Sequence, residues 1–384
     1  MSGLLTSFRN PQGARLQHCA LPPLVVLWLC ILIIGYVLSR CFTSSAIDVS
    51  LYREPHAILT ELPLTYRQHE ADNMYDPSER NSSSLSETSS PKWHVKSFEG
   101  SLGGEVIGLH RIDNLSDMDL EHLKSLLWTR KVLLIRLPHT VGYSEQITFS
   151  KRFSSEQNCS HSHSHSYCNN SNLLDVHIES SSRAPGYPDV TLVSNILNRE
   201  KKPIGLNGTN VESFHSDLSW SHRPAIVTFL YSVLQPSNCG NTIFINTETA
   251  YSTLPDFVKS RLNESYGKYC YLKTFVNSQR LSDYEKSNAQ KCAFHPIFTR
   301  HPITNKWSIF ANPSDLTEII GLSDVESNFF IDYLSMHVAS HSAHRYTHRY
   351  SVGDLLIFDN RGLQHRGTGC AAESPRLLHR TIAI

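Results

Sequence analysis

One apolar run stands apart in this chain: LVVLWLCILIIGYVL, Leu24 to Leu38, lies within 24 residues between Arg15 and Arg40 that hold no Lys, Arg, Asp or Glu. With Cys19 to Pro23 it reaches the roughly 20 residues that a membrane-spanning helix needs. Pro22 and Pro23 open it, where a missing N–H does least harm. The pattern predicts a short tail over 1–20 and an uncleaved transmembrane signal anchor over 21–40. The alternative is a cleaved signal peptide and secretion, since Ser44 and Ala46 suit a small-residue cleavage site, but the polar stretch ahead of the run is long for one. From Thr43 polar positions take over and end in NSSSLSETSSP. Residues 41–91 therefore read as a flexible, Ser-rich linker with too little apolar surface to fold.

Periodic patterns then return, and 92–384 reads as one domain. Ser116 precedes DMDLEHLKSLLW, which predicts a capped helix, and KVLLIRL follows with the length of a strand. Alternating or β-branched runs recur at AIVTFLYSV, NTIFIN, KWSIFAN, DLLIFDN and LLHRTIAI. Helices early and strands late predict an α+β arrangement around a largely antiparallel sheet or barrel. The piece HSHSHSYCNNSN, in a His/Ser-rich insertion near 156–172, interrupts this pattern and reads as a surface loop, with loose metal binding as the alternative.

Composition narrows the function. Lys and Arg number 35 against 35 Asp and Glu, with no long basic run, which excludes the electrostatic footprint of a nucleic-acid binder. No Gly period, heptad run or longer repeat occurs, so collagen, coiled-coil and solenoid readings fail. Of the nine Cys, three (Cys19, Cys30, Cys41) accompany the apolar segment. Cys159, Cys168, Cys239, Cys270, Cys292 and Cys370 remain, an even set that permits disulfides without choosing a pairing. Together with Asn-X-Ser/Thr acceptors at Asn81, Asn114, Asn158, Asn169, Asn207 and Asn263, they tilt the topology toward a lumenal or extracellular glycoprotein domain.

The chemistry concentrates in three places. In FHSD, His215 and Asp217 are two apart and point the same way in extended chain. An imidazole and a carboxylate on one face make two thirds of the facial triad that holds non-haem Fe(II) with three positions open. A hydrogen-bonded surface pair is the plainer alternative. In FDNRGLQHRGT, His365 follows the apolar DLLIF and a turn-like DNRG, and only a barrel that unites distant strands would bring it to Asp217. In PRLLHRTIAI, Arg376, Leu378 and Arg380 share one strand face, and Leu377, His379 and Thr381 the other. Two guanidinium groups on an otherwise apolar strand are costly to bury unless an anion meets them, and a carboxylate fits the planar fork of Arg. His295 and His301 each precede Pro and read as turn residues. His341, His344, Arg345, His348 and Arg349 read as a solvated helix end and strand start, with a second anion contact as the alternative. Tyr346, His348 and Tyr350 alternate in phase and equally suit one face of a sheet.

FHSD, the CGNT stretch with Gly240 and Thr242, FDNRGLQHRGT and PRLLHR together resemble the taurine dioxygenase / 2,4-dichlorophenoxyacetate dioxygenase family of Fe(II)- and 2-oxoglutarate-dependent oxygenases. The likeness runs from about Gly103 to the C-terminus, through GGEVIGLHRIDNLSDMDLEHLKSLLWTRKVLLIR and HPIFTRHPITNKWSIFANP. It implies a double-stranded β-helix, or jelly roll, flanked by helices. It also implies iron on His215, Asp217 and His365, and the distal carboxylate of 2-oxoglutarate on Arg376 with help from Thr242. Arg380 matches a position that meets the substrate's acidic group in the taurine enzyme, or reinforces the cosubstrate site. Phe214 stands where an indole often precedes the first His and implies an aromatic pocket wall without an N–H donor. The implied reaction consumes 2-oxoglutarate and O2, with ascorbate as a supporting reductant. It hydroxylates a small organic molecule, anionic or neutral, with release of succinate and CO2. A non-catalytic jelly-roll module that keeps a metal or anion pocket, and a Zn-dependent cupin-like hydrolase or isomerase, are the competing readings, separated from the first by turnover that depends on 2-oxoglutarate.

Overall fold

Val132 and Leu134 belong to one apolar cluster and Leu133 and Ile135 to another, because KVLLIRL lies centrally in a sheet that is packed on both faces. The computed structural model describes residues 92–100, 102–154, 173–207, 209, 211–271, 292–340 and 344–384. All of them fall in one unit, Arg80–Ile384. The predicted anchor, the linker and most of the His/Ser-rich insertion lie outside the described residues; among those described, no helix is long and apolar enough to cross a membrane.

Along the chain run β1 (His94–Ser97), β2 (Gly104–Ile107), α1 (Asp117–Arg130), β3 (Val132–Arg136), α2 (Tyr143–Lys151), β4 (Arg183–Ala184), β5 (Tyr187–Ser194), β6 (Leu206–Asn207) and β7 (Val227–Leu234). Next come β8 (Thr242–Asn246), α3 (Thr247–Ser252), α4 (Asp256–Leu262), β9 (Tyr266–Cys270), β10 (Cys292–Pro296), β11 (Phe298–Arg300), β12 (Trp307–Ile309) and β13 (Leu316–Ile319). The last elements are α5 (Asp324–Ser340), β14 (Arg345–His348), β15 (Asp354–Asp359), β16 (Leu363–Gly367) and β17 (Leu377–Ala383).

The major sheet has the order β1-β2-β3-β15-β7-β17-β5-β4, with β6 beside β5. Only β2 with β3 and β5 with β6 pair in parallel. The minor sheet, β14-β8-β16, is antiparallel, and a bridge between His215 and His365 adds the FHSD segment to its edge. Val132, Leu134, Leu230, Phe244, Leu356, Phe358, Leu363 and Leu378 fill the space between the two sheets, as in a jelly roll. On the outer face of the major sheet lie Leu120, Leu123 and Leu127 of α1, spaced for one helix face. The predicted cap is present: Ser116 Oγ accepts from the Asp119 N–H at 3.1 Å.

Helices do not simply cluster early. The longest described here, α5, comes late and packs Phe330, Leu334 and Val338 into one cluster with residues of α3, α4, β9 and β11–β13 in a third layer. Its NFFIDYLSMHV run places aromatic and apolar residues on several faces, so its helical period is masked in the sequence. In the stretch read as a solvated helix end and strand start, Arg345 and Arg349 are exposed as expected, His341 lies outside the described residues, and His348 departs from that reading. His348 is buried, with Nε2 3.1 Å from Asp354 Oδ2 and Nδ1 2.9 Å from the Tyr346 hydroxyl. Pairing of β14 with β8 carries it inside the sandwich. His295 lies in strand β10 with Nε2 2.8 Å from the Ser221 carbonyl. His301 does hold a turn, since its Nδ1 accepts the Ile303 and Thr304 N–H groups.

Candidate active site

The bridge between the FHSD segment and β16 sets the geometry. His215 N–H donates to the His365 carbonyl at 2.9 Å, and His365 N–H returns the bond at 2.8 Å. The two imidazoles consequently face each other with ring centroids 4.4 Å apart. Asp217 comes between them: its Oδ1 is 3.9 Å from His215 Nε2 and its Oδ2 3.9 Å from His365 Nε2. One ligand atom from each of the three lies within 4.8 Å of the others. Directly after Asp217 the chain turns at Leu218, which adopts φ +55°, a conformation that costs a Leu on the order of 1 kcal/mol.

These residues fit a divalent metal ion. His215 Nδ1 is 2.9 Å from the Ser213 carbonyl, so that nitrogen carries the proton and Nε2 keeps its lone pair for a metal. Burial pushes the His365 imidazole down to about 3, helped by the nearby His215, so it is neutral as a ligand must be. Burial alone would raise Asp217. The His365 ring where it is protonated at low pH, the Arg380 and His215 charges and the Thr228 hydrogen bond outweigh it and hold the carboxyl at about 2. For His215 burial acts downward, but the Glu212 and Asp217 carboxylates win and the net shift is upward. Two imidazoles and one carboxylate on one side of an otherwise open pocket match the donor set of a non-haem Fe(II) site.

A second subsite adjoins the first. Arg376, Leu378 and Arg380 line the same pocket as His215, Thr228, Thr242 and His365, so the alternation read in PRLLHR is realised. Arg376 is 4% exposed and has no carboxylate in ion-pair contact among the described residues. Its Nε donates to Gln235 Oε1 at 3.3 Å and its guanidinium lies 5.7 Å from the Tyr350 ring centroid. Burial depresses its pKa. A buried guanidinium so provided is a receptor for an external carboxylate. Thr242 faces it, with its hydroxyl 3.0 Å from that of Tyr350. Gly240, at φ +72°, lets the backbone pass Arg376; a Cβ there would lie 2.5 Å from Arg376 Cδ. A disulfide between Cys239 and Cys370 closes the loops that carry Gly240 and lead to Arg376.

One expectation gains a partner and another changes. Arg380 Nη1 is 3.3 Å from Asp217 Oδ1, so this arginine meets the carboxylate of the donor cluster as well as facing the pocket. Phe214 is not among the described residues that line this pocket. Extended backbone turns it away from His215, and it packs with Ile243 and Ile245 under the α3–α5 layer, with the Arg366 guanidinium over its ring. Sequence reasoning missed Tyr350, Gln235, Thr228 and Asn360, whose contributions arise from strand pairing between distant segments. For Tyr350 a signal was present in its in-phase spacing with Tyr346 and His348.

Against known proteins, residues 94–382 match the family described as "Taurine catabolism dioxygenase TauD, TfdA family". Pentalenolactone F synthase of Streptomyces arenae is 24% identical over 295 residues, 74% of this chain and 92% of the relative. The alpha-ketoglutarate-dependent 2,4-dichlorophenoxyacetate dioxygenase of Cupriavidus pinatubonensis is 27% identical over 201 residues, 51% of this chain and 68% of the relative. Among solved structures, a taurine dioxygenase from Burkholderia xenovorans superposes with a TM-score of 0.59 at 19% identity, covering 76% of this chain and 89% of that one.

Proposed function

Because the chain belongs to the TauD/TfdA family of dioxygenases, which use Fe(II), 2-oxoglutarate and O2, we propose that His215, Asp217 and His365 hold the iron and that Arg376 with Thr242 receives the distal carboxylate of 2-oxoglutarate. The observation that carries this reading is the convergence of the three donors beside a buried arginine without a carboxylate partner. The bound iron supplies O2-dependent oxidation, coupling conversion of 2-oxoglutarate to succinate and CO2 with hydroxylation of a substrate C–H. The protein's contribution is positional. Arg376 anchors the cosubstrate by a paired charge at its far end, and the Thr242 hydroxyl, oriented by Tyr350, adds a hydrogen bond. Leu230, Phe358 and Leu378 line the pocket with apolar surface that excludes water. Arg380 neutralises Asp217, and its Nε, buried without a partner, is where an acidic group of a small organic substrate would find a donor. The carboxylate in the name of the 2,4-dichlorophenoxyacetate enzyme supports an anionic substrate of that kind.

We place the catalytic domain, residues 92–384, on the lumenal or extracellular side of a membrane, behind an anchor at 21–40. Two disulfides, Cys239 with Cys370 and Cys270 with Cys292, support an oxidising compartment.

The test is succinate formation by the full-length chain in detergent, supplied with Fe(II), ascorbate and 2-oxoglutarate and screened against carboxylated, sulfonated and amino-acid substrates. Substrate-stimulated succinate that disappears in His215→Ala is the expected result. A folded, iron-loaded protein that forms none, even by slow uncoupled turnover, would instead be a binding module.

A further inference from the structure

Asp217 has to present its carboxylate to a metal in one fixed rotation, and Asp side chains rotate about two bonds unless something stops them. What stops this one is a closed set of directional hydrogen bonds. The Asn360 side-chain amide donates through Nδ2 to Thr228 Oγ1 at 2.7 Å. Its oxygen, Oδ1, accepts the Asp217 backbone N–H at 3.1 Å. Thr228 Oγ1 is 2.6 Å from Asp217 Oδ2. The proton directions follow from chemistry. A backbone N–H can only donate, so Asn360 must turn its oxygen toward Asp217 and its NH2 toward Thr228. Thr228 oxygen is then an acceptor from Asn360, and its own proton goes to a carboxylate that can only accept.

The frame that carries these groups is rigid. Thr228 and Asn360 are 0% and 2% exposed. Thr228 sits in β7 opposite Phe358 of β15 and Ile382 of β17. Asn360 N–H donates to the Ile226 carbonyl at 3.0 Å, and the preceding residue, Asp359, is fixed by Lys131 and His301. The other donor to Asp217, Arg380, lies at 3.3 Å, beyond the usual range for a charge-assisted bond. Thr228 therefore makes the shorter and more directional of the two side-chain hydrogen bonds, while Arg380 acts mainly through its charge.

We propose that Thr228 and Asn360 are positioning residues for the metal ligand Asp217, with Asn360 setting the direction in which the Thr228 proton is given. The proposal rests on the assignment of Asp217 to iron. It makes a prediction that bulk packing would not. If Asn360 served only shape, Asn360→Asp, which is isosteric, would be milder than Asn360→Ala. If it sets a proton direction, Asn360→Asp turns a donor into an acceptor that competes for the Thr228 proton and adds a second anion beside Asp217, so it is the worse of the two.

The experiment is Mn(II) binding to the full-length metal-free chain, read from the electron paramagnetic resonance of the free ion, with thermal midpoints of the metal-free proteins alongside. Thr228→Val is expected to weaken Mn(II) by about tenfold or more, the span typical of groups that orient metal ligands. Thr228→Ser should restore affinity to within a few-fold, and Asn360→Asp should bind more weakly than Asn360→Ala at a similar thermal midpoint. Wild-type affinity in both Thr228→Val and Asn360→Asp overturns the proposal. So does an affinity order that follows the thermal midpoints. His215→Ala separates the premise: if that variant binds Mn(II) as tightly as wild type, the metal assignment itself has failed, whereas its loss of binding together with unaffected Thr228 and Asn360 variants sinks only the positioning role.

Discussion

At the scale of single residues, the proposed cosubstrate end of the pocket divides charge from orientation. Arg376 supplies a planar, permanently charged fork, and Lys in its place keeps the charge and loses the bidentate geometry. Arg376→Lys is expected to raise the KM for 2-oxoglutarate at least tenfold, about 1.4 kcal/mol or more. Tyr350→Phe removes only the hydroxyl that orients Thr242 and should raise that KM a few-fold with kcat nearly kept. Steady-state kinetics at varied 2-oxoglutarate checks both, and an equal fall of kcat in both variants would place these groups elsewhere in the reaction. What was legible here and what was not has a physical basis. His215, Asp217, His365 and Arg376 stand in short runs whose spacing or charge is anomalous for their surroundings. Thr228, Asn360 and Gln235 are ordinary polar residues, and their importance exists only through partners more than a hundred residues away or across a strand. Arg380 lay between these cases: its place on the Arg376 face was readable, and its partner Asp217 was not.

Among the elements, the junction of α1, β3, β15 and α3 depends on a buried charge cluster. Lys131 ends α1 in the left-handed region at φ 69°, and its Nζ lies 2.6 Å from Glu248 and 3.0 Å from Asp359 with almost no exposure. His301 Nε2 adds a contact to Asp359 at 2.9 Å. Burial would raise the Asp359 pKa, but the His301 hydrogen bond and the Lys131 charge reverse this and hold it well below the ordinary 3.8. A carboxyl depressed in the folded state contributes stability above its unfolded value, and the contribution is lost as pH falls below about 4 toward the folded value. Asp359→Asn is thus expected to cost about 3 kcal/mol at pH 7, the scale for breaking a buried pair. The difference from wild type should shrink below about pH 4, as denaturant melts across that range will measure. A difference constant down to the lowest pH would mean that packing, and not charge, is what the substitution removes. The sequence announced α1 and β3 through a cap and a clean period, yet gave no hint of this cluster, because Lys131, Glu248, His301 and Asp359 meet only when four elements close on one another.

Across the whole described domain, the two sheets bring the proposed metal donors from the FHSD segment and β16 to an arginine that precedes β17, and covalent links secure the edges of that arrangement. Cys239 lies three residues before Thr242, and Cys370 six before Arg376. The bond between them sits where Gly240 N–H meets the Gly369 carbonyl at 2.9 Å and Thr368 N–H meets that of Asn241 at 2.9 Å. The Cys239 carbonyl also accepts from Gln235, whose oxygen holds Arg376. The disulfide thereby ties both walls of the proposed cosubstrate subsite to one point, and a reducing compartment would leave that point open. Such a role would suit the proposed lumenal or extracellular placement. Acid-quenching of cells followed by maleimide labelling reads the difference directly: Cys239, Cys270, Cys292 and Cys370 should label only after reduction. Mild reduction of the purified chain should then raise the KM for 2-oxoglutarate, and a Cys239→Ser, Cys370→Ser variant should match the reduced protein. Immediate labelling of all four in cells would put the domain in a reducing compartment and remove the main support for the lumenal placement.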